Sequence, residues 1–333
     1  MYNNNFEAIE KLEDALFTIY TFGYTTNKAF KSAFHENVTK RLPILYEKAK
    51  YVNIEKSYVE TEWKDLISLH YINTTYANEL KNRVIRVHFF KEKVCSEDNY
   101  VGFITLRPIQ EMQIALSYVF VNWNAILAHA SKKDEKSQMV TYNKRVHCMG
   151  KELFIKTYPL LVQDSIVTCC VDVNLITLTR FLSHKGMTKK LSIKDMCGED
   201  INGGCPKYLT EGYISNFCKE KKIPLKLSTI DVSQLEDEKQ DLDEEKQKEP
   251  GLVTVLTKKG MIAYINAYLN SNLPVFLCGA GHVVQIVGYI EHGKEKRHII
   301  FDDSGSRDPQ KLPKEKGRCI YLSLIHISEP TRH

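Results

Sequence analysis

The chain of 333 residues is long enough for two domains or for one large one. Its content of 43% hydrophobic and 26% charged residues is typical of a protein with a full core. Lysine and arginine (46) exceed aspartate and glutamate (41) by only five charges, spread along the chain, which argues against nucleic-acid and membrane-surface proteins.

No targeting or spanning segment is predicted. The start, MYNNNFEAIEKLEDALF, lacks a basic segment followed by an apolar one, and His282 and Gln285 interrupt the most apolar stretch, residues 274–290. The nine scattered cysteines are expected to be reduced thiols, which indicates a cytoplasmic protein. They form no C-x-x-C pair, so no structural metal is expected, and the oligomeric state stays open.

Residues 1–158 are predicted to form an N-terminal region of unknown role. The first ninety residues have mostly helical periodicity, as in Phe6, Ile9, Leu12 and Leu16. From about Val84 the runs are β-branched and aromatic and predict strands: VIRVHFF, YVGFITLRP, LSYVFVNW, MVTYNKRVHCM and KELFIKTYP.

Residues 159–322 are predicted to form a second unit, helical first and strand-rich later. CCVDVNLITLTRFLSHKG predicts a helix that ends at Gly186, and further helices are expected at 208–222 and 258–270. PVFLCGA, HVVQIVGYI, RHIIFDD and GRCIYLSL predict strands. Residues 233–250 form a charged stretch expected to be a solvated loop, and residues 323–333 resemble a translated adapter, so a non-native tail is expected.

The start of the predicted cysteine helix has features of a nucleophilic site. A helix N-terminus favours a thiolate at Cys169 or Cys170, because its N–H groups carry partial positive charge. Gln163 lies six residues before Cys169, a spacing that lets a loop bring its amide beside the sulfur, where it can help to hold an oxyanion. Core packing is the alternative reading of a thiol on an apolar helix.

A base and a carboxylate follow in later strands. His282 leads the apolar run HVVQIVGY, and the next predicted strand ends in Asp302 and Asp303. If these strands pair antiparallel, a carboxylate at the end of the second lies beside the imidazole at the start of the first. Asp-Asp-Ser-Gly is also an ordinary turn sequence.

Three segments, QDSIVTCCVDVNLITLTRFL, PVFLCGAGHVVQIVGY and HIIFDDSGS, resemble the papain-like cysteine peptidase superfamily. The resemblance is greatest to its bacterial double-glycine (bacteriocin-processing) peptidase-like branch and to uncharacterised bacterial relatives, and it covers about residues 163–306. It implies an α+β, papain-like fold in which a cysteine-bearing helix packs on an antiparallel sheet.

The resemblance also implies residue roles. Cys169 would be the nucleophile, His282 the base, Gln163 the oxyanion donor and Asp303 the orienting carboxylate. Asp302 rivals Asp303, because one residue of register reverses the face of a strand on which a side chain lies. In the family a small residue usually follows the nucleophile, and Cys170 in that place leaves either cysteine arguable.

The expected activity is hydrolysis of a peptide or isopeptide bond in a peptide or protein substrate, through a Cys-His-Asp triad and an acyl-enzyme. No cofactor is expected, because thiol hydrolysis requires none. Two alternatives stay open. One is acyl transfer by the same triad, and the other is a non-catalytic peptide-binding protein of the same fold.

Overall fold

The computed structural model describes residues 6–19, 26–70, 83–107, 115–130, 136–163, 168, 170–197, 211–225, 258–279, 282–292, 295–301 and 325–327. They form an α+β fold of antiparallel sheets and helices. The helices are α1 (Leu12–Ile19), α2 (Asn27–Phe34), α3 (Pro43–Lys48), α4 (Thr61–Leu69), α5 (Trp123–Ala130), α6 (Cys170–His184), α7 (Ile193–Cys197), α8 (Glu211–Glu220) and α9 (Lys258–Asn270). The strands are β1 (Glu7–Ala8), β2 (Tyr51–Tyr58), β3 (Val84–Phe90), β4 (Tyr100–Arg107), β5 (Ala115–Val121), β6 (Lys136–Met139), β7 (Tyr142–Cys148), β8 (Lys151–Thr157), β9 (Leu160–Leu161), β10 (Val275–Gly279), β11 (His282–His292), β12 (Glu295–Phe301) and β13 (Ile325–Ile327).

The first sheet has six antiparallel strands in the order β1-β2-β3-β4-β5-β9. Every residue of β3 and β4 is buried; most are apolar or aromatic, as predicted, but Arg86, His88 and Arg107 are buried with them. The prediction that the first ninety residues are mostly helical is wrong for β2. This strand includes polar residues such as Asn53 and Glu55 and forms through its pairing with β3, where Glu55 lies opposite Arg86.

The second sheet is centred on β11. One edge of β11 pairs with β12, while β10 and β6 pair with its N-terminal and C-terminal parts. Gly288 allows the approach of β6, because a Cβ atom there would lie 2.5 Å from the backbone oxygen of Gln138. The predicted antiparallel pairing between the strand that begins at His282 and the next strand is confirmed.

Strands from both sides of residue 158 meet in each sheet. β6 joins the second sheet through β11, and β9 joins the first through β5. The run MVTYNKRVHCM, predicted as one strand, belongs to two: β6 ends at Met139, and β7 begins at Tyr142 and pairs only with β8 in the described part of the chain. The division of the chain at residue 158 stays a prediction.

Helix α6 connects the two sheets. It packs against both β9 and β11, and most of its side chains are buried. Its predicted end is confirmed: Gly186 has a φ of 70°, and the N–H groups of Gly186 and Met187 donate to the carbonyls of Ser183 and Leu182, each at 3.0 Å. Glycine favours this left-handed conformation because it has no Cβ.

Several predicted segments lie outside the described residues. They include the charged stretch 233–250, the strand GRCIYLSL and most of residues 323–333; within that tail, β13 pairs with β12. The other predicted helices agree closely, since α9 has the expected bounds and α8 is shorter than its predicted range. Of the helices in the described ranges, none combines the length and the apolar character needed to cross a membrane.

A histidine is buried within the first sheet. His88, only 1% exposed, lies in β3; its Nδ1 is 2.6 Å from the Tyr100 hydroxyl and its Nε2 is 3.6 Å from the Glu55 carboxylate. Burial lowers the pKa of His88 to about 4, because the charged imidazolium loses its hydration. The folded protein therefore holds a neutral imidazole at neutral pH.

This burial predicts an acid-sensitive fold. Between pH 6.5 and about 4 the unfolded chain binds a proton at His88 that the folded chain does not, so the free energy of unfolding should fall as the pH is lowered through this range. We expect a contribution of up to about 3 kcal/mol, absent in His88→Gln. Urea titrations at a series of pH values measure it.

The matched control is His147→Gln, because the His147 side chain is 65% exposed and is solvated in both states. The control should keep the pH dependence of the wild type. Equal slopes for wild type and His88→Gln between pH 6.5 and 4 would contradict the assignment.

Candidate catalytic site

Gln163 is positioned by the first sheet. The short strand β9 pairs with β5, and the next residue, Val162, donates its N–H to the carbonyl of Ser117 at 2.9 Å. Gln163 follows directly and is half-buried. Because α6 packs against β9, the predicted oxyanion donor comes from a segment that contacts the cysteine helix.

One cysteine of the pair, Cys170, lies at the N-terminus of α6. It is the first residue of the helix and is half-buried, and Thr168, two residues earlier, is buried. Cys169, the predicted nucleophile, is outside the described residues. The partial positive charge of the helix N-terminus is greatest at this end of α6 and favours a thiolate there.

His282 is the first residue of β11. Its backbone pairs with that of Gly279 at the end of the β10–β11 ladder that residues 280–281 connect. The neighbouring strand β12 ends at Phe301, opposite Gln285. The next two residues of the chain, Asp302 and Asp303, lie outside the described residues. The structure therefore does not describe how the triad side chains are placed relative to one another.

One buried amide joins the start of α6 to the start of β11. Asn174, which is 3% exposed, donates from Nδ2 to the carbonyl oxygen of Cys170 at 2.6 Å and to that of Val283 at 3.3 Å. The two carbonyl oxygens are thus within about 6 Å of each other. Val283 follows His282, so this amide links the backbone of Cys170 to the backbone of the residue next to His282.

The same amide belongs to a longer buried chain of hydrogen bonds. Gln285 donates from Nε2 to the Asn174 Oδ1, and the Gln285 Oε1 accepts a 2.6 Å hydrogen bond from the Tyr158 hydroxyl. The Tyr158 ring also packs against Phe181 of α6 and Phe301 of β12, with centroids 5.3 and 5.9 Å away. Donors and acceptors alternate along the chain, so each amide group that it uses is satisfied.

Sequence reasoning missed this supporting set. The signals were present as isolated polar residues in apolar elements: Asn174 interrupts the buried face of α6, and Gln285 interrupts β11. Buried polar side chains need partners, so each indicates a hydrogen-bonded contact. The sequence does not indicate which partner each one has, because the partners are more than a hundred residues apart.

The described residues contain no group of three or more His, Cys, Asp or Glu side chains that could hold a metal ion. Comparison of the chain with protein-family models, with curated proteins and with solved structures found no significant match. The residues themselves therefore carry the functional argument.

The Tyr158 hydroxyl should contribute measurably to stability. Tyr158→Phe leaves the buried Gln285 oxygen without its donor, and we expect the free energy of unfolding to fall by about 1–3 kcal/mol. Denaturant unfolding followed by circular dichroism measures the change.

Tyr142→Phe is the matched control. Tyr142 is also buried and packs against Phe181, but its hydroxyl has no hydrogen-bond partner among the described residues. Its loss should change stability by less than about 0.5 kcal/mol. Equal effects of the two substitutions would mean that the Tyr158–Gln285 hydrogen bond contributes nothing specific.

Proposed function

We propose that this protein is a papain-like cysteine peptidase that hydrolyses a peptide or isopeptide bond in a peptide or protein substrate. Cys169 is the nucleophile, His282 the base, Asp303 the carboxylate that orients the base, and Gln163 an oxyanion donor. Asp302 is the alternate carboxylate. We propose the cytoplasm as its setting, because a nucleophilic thiol stays reduced there.

The observation that carries the proposal is the double hydrogen bond of Asn174. It holds the backbone at the start of α6 against the backbone beside His282. A thiol–imidazole pair needs two elements, distant in sequence, whose ends are fixed together, because the proton must pass between side chains in hydrogen-bond reach. A rigid, buried support of this kind favours catalysis over a chance arrangement.

The proposed reaction begins with transfer of the Cys169 thiol proton to His282. The thiolate attacks the substrate carbonyl carbon, and the resulting oxyanion accepts hydrogen bonds from the Gln163 side-chain amide and the Cys169 N–H. His282 then gives its proton to the leaving amine as the C–N bond breaks, and a thioester remains. Water, deprotonated by His282, attacks the thioester, releasing the acid and regenerating the thiol.

Cys170 is the alternate nucleophile. It is the first residue of α6 and is half-buried, so the helix N-terminus acts on its sulfur as well. The two cysteines are adjacent and chemically identical, and only their separate replacement distinguishes them.

The first test is mass-spectrometric mapping of limiting iodoacetamide labelling at pH 6 to 7. A thiolate formed by His282 should make Cys169 react at least about tenfold faster than an ordinary buried thiol, and His282→Ala should remove the difference. Cys218 is the internal reference: it is 3% exposed, and burial raises its pKa to about 11.

Cys169→Ser and Cys170→Ser separate the candidates. Loss of the fast label only in Cys170→Ser transfers the nucleophile role to Cys170. If neither thiol reacts faster than Cys218, the catalytic proposal fails and the non-catalytic peptide-binding alternative replaces it. If the fast label is found, incubation of the acylated enzyme with an added amine separates hydrolysis from acyl transfer by the product released.

A further inference from the structure

A small charged cleft lies outside the proposed catalytic site. It opens between β4, β5, β7 and α6, beside the segment that connects β2 to α4, and has a volume of about 170 Å³. This is below the about 300–1,000 Å³ of sites for drug-sized ligands, so it suits a small molecule. Its charged side chains are Glu60, Glu62, Lys144, Arg180 and Lys190.

Stacked aromatic rings form one wall of the cleft. Phe103 and Phe120 stack with centroids 4.7 Å apart, and Tyr118 stacks on Phe120 at 5.5 Å. The Lys144 ammonium lies 4.6 Å from the Phe120 centroid, and the Arg180 guanidinium lies 4.3 Å from the Tyr118 centroid. The ring faces attract both cations without using their hydrogen-bond donors, so these donors stay available to an oxygen acceptor such as a carboxylate.

One carboxylate serves two of the cations. Glu62 is 1% exposed and accepts from Arg180 at 2.6 Å and from Lys190 at 2.8 Å. The paired cations lower the pKa of Glu62 to about 2 against the opposing effect of its burial, so it is ionised at neutral pH. The Nε of Arg180 has no hydrogen-bond partner in the described part of the chain.

The second carboxylate of the cleft, Glu60, does not balance the positive charge that Glu62 leaves unpaired. Glu60 is 3% exposed, accepts hydrogen bonds from Thr105 and Ser117, and lies 3.6 Å from the Arg107 Nε. Burial raises its pKa. Its charge, where present, is therefore matched by Arg107.

Lys144 lies in the electrostatic field of Glu62 but forms no ion pair with an acidic side chain of the described ranges. In the described ranges its ammonium makes neither a hydrogen bond nor an ion pair. It makes cation–π contacts with the rings of Phe103 and Phe120. Burial and the nearby positive charges of Arg180 and Arg86 lower its pKa to about 8. Three cations thus face one ionised carboxylate, and the cleft holds an excess of two positive charges.

We propose that this cleft is a binding site for a small dianion, either a phosphoryl group or a dicarboxylate. Lys144 and Lys190 supply charge, and Arg180 supplies the planar donors that fit two oxygens of either group. A bound dianion neutralises the excess charge and gives Lys144 and the Arg180 Nε acceptors that the described residues do not provide.

The site is independent of the proposed peptidase activity. Arg180 lies ten residues after Cys170 in α6, which corresponds to about 15 Å along the helix axis. The ligand would contact residues of β7 and α6 and the segment after them, so its binding should stabilise the folded chain. The proposal therefore needs no active cysteine and can be tested in Cys169→Ser.

The test is titration with inorganic phosphate and with succinate, each at constant ionic strength, followed by thermal unfolding and isothermal calorimetry. Saturable binding of at least one is expected, and the tighter of the two identifies the group. Lys144→Gln should weaken that binding at least about tenfold. If Lys144→Gln does not fold by circular dichroism, Lys190→Gln replaces it with the same expected loss, because Lys190 is 35% exposed and Glu62 keeps Arg180 as an ion-pair partner.

Lys156→Gln is the matched control. Lys156 is an exposed lysine on β8, the partner strand of β7, and its replacement removes the same charge away from the cleft. It should leave binding unchanged within about twofold. Absence of saturable binding of both anions, or an equal loss in the control, would overturn the proposal.

Discussion

The buried hydrogen bonds that join Tyr158, Gln285 and Asn174 are the interaction on which the arrangement of the molecule depends. Tyr158 lies two residues before β9 of the first sheet, Gln285 lies in the central strand of the second, and Asn174 lies in the helix between them. Apolar packing alone would leave these elements free to slide, since it has no direction. The amides fix one register because any shift would leave buried polar atoms without partners.

The two polar regions of the interior differ in how completely their charges and hydrogen bonds are matched. The amide chain is neutral, and the donors and acceptors that it uses are paired. Among the described residues, the cleft near Arg180 holds more positive than negative charge, and a partly desolvated cation that lacks a close carboxylate costs free energy. An uncompensated charge of this kind is tolerated where a bound ligand neutralises it. We therefore infer a binding site at the cleft and a structural support in the amide chain.

The sequence predicts the elements whose signals are local. The apolar run and closing glycine of α6 are visible in one stretch, as are the apolar runs of β11 and β12. Strand β2 cannot be predicted from its local sequence. Its polar residues adopt a strand conformation only because they pair with β3. Motifs in the sequence likewise predict Gln163, the cysteine pair and His282 as candidate site residues. The supporting role of Asn174 is visible only in the fold, because its partner Val283 is more than a hundred residues away.

The second sheet includes β6, a strand from the N-terminal half of the chain, and this affects how the chain folds during synthesis. β6 is made about 150 residues before β11, the strand that covers it, so ribosomal synthesis of most of the second half must finish before this pairing forms. Contacts of such large sequence separation slow folding and leave an open strand edge in the nascent chain. The interval between the synthesis of β6 and that of β11 is therefore a stage at which the growing chain is exposed to edge-to-edge aggregation, whatever the stability of the finished fold.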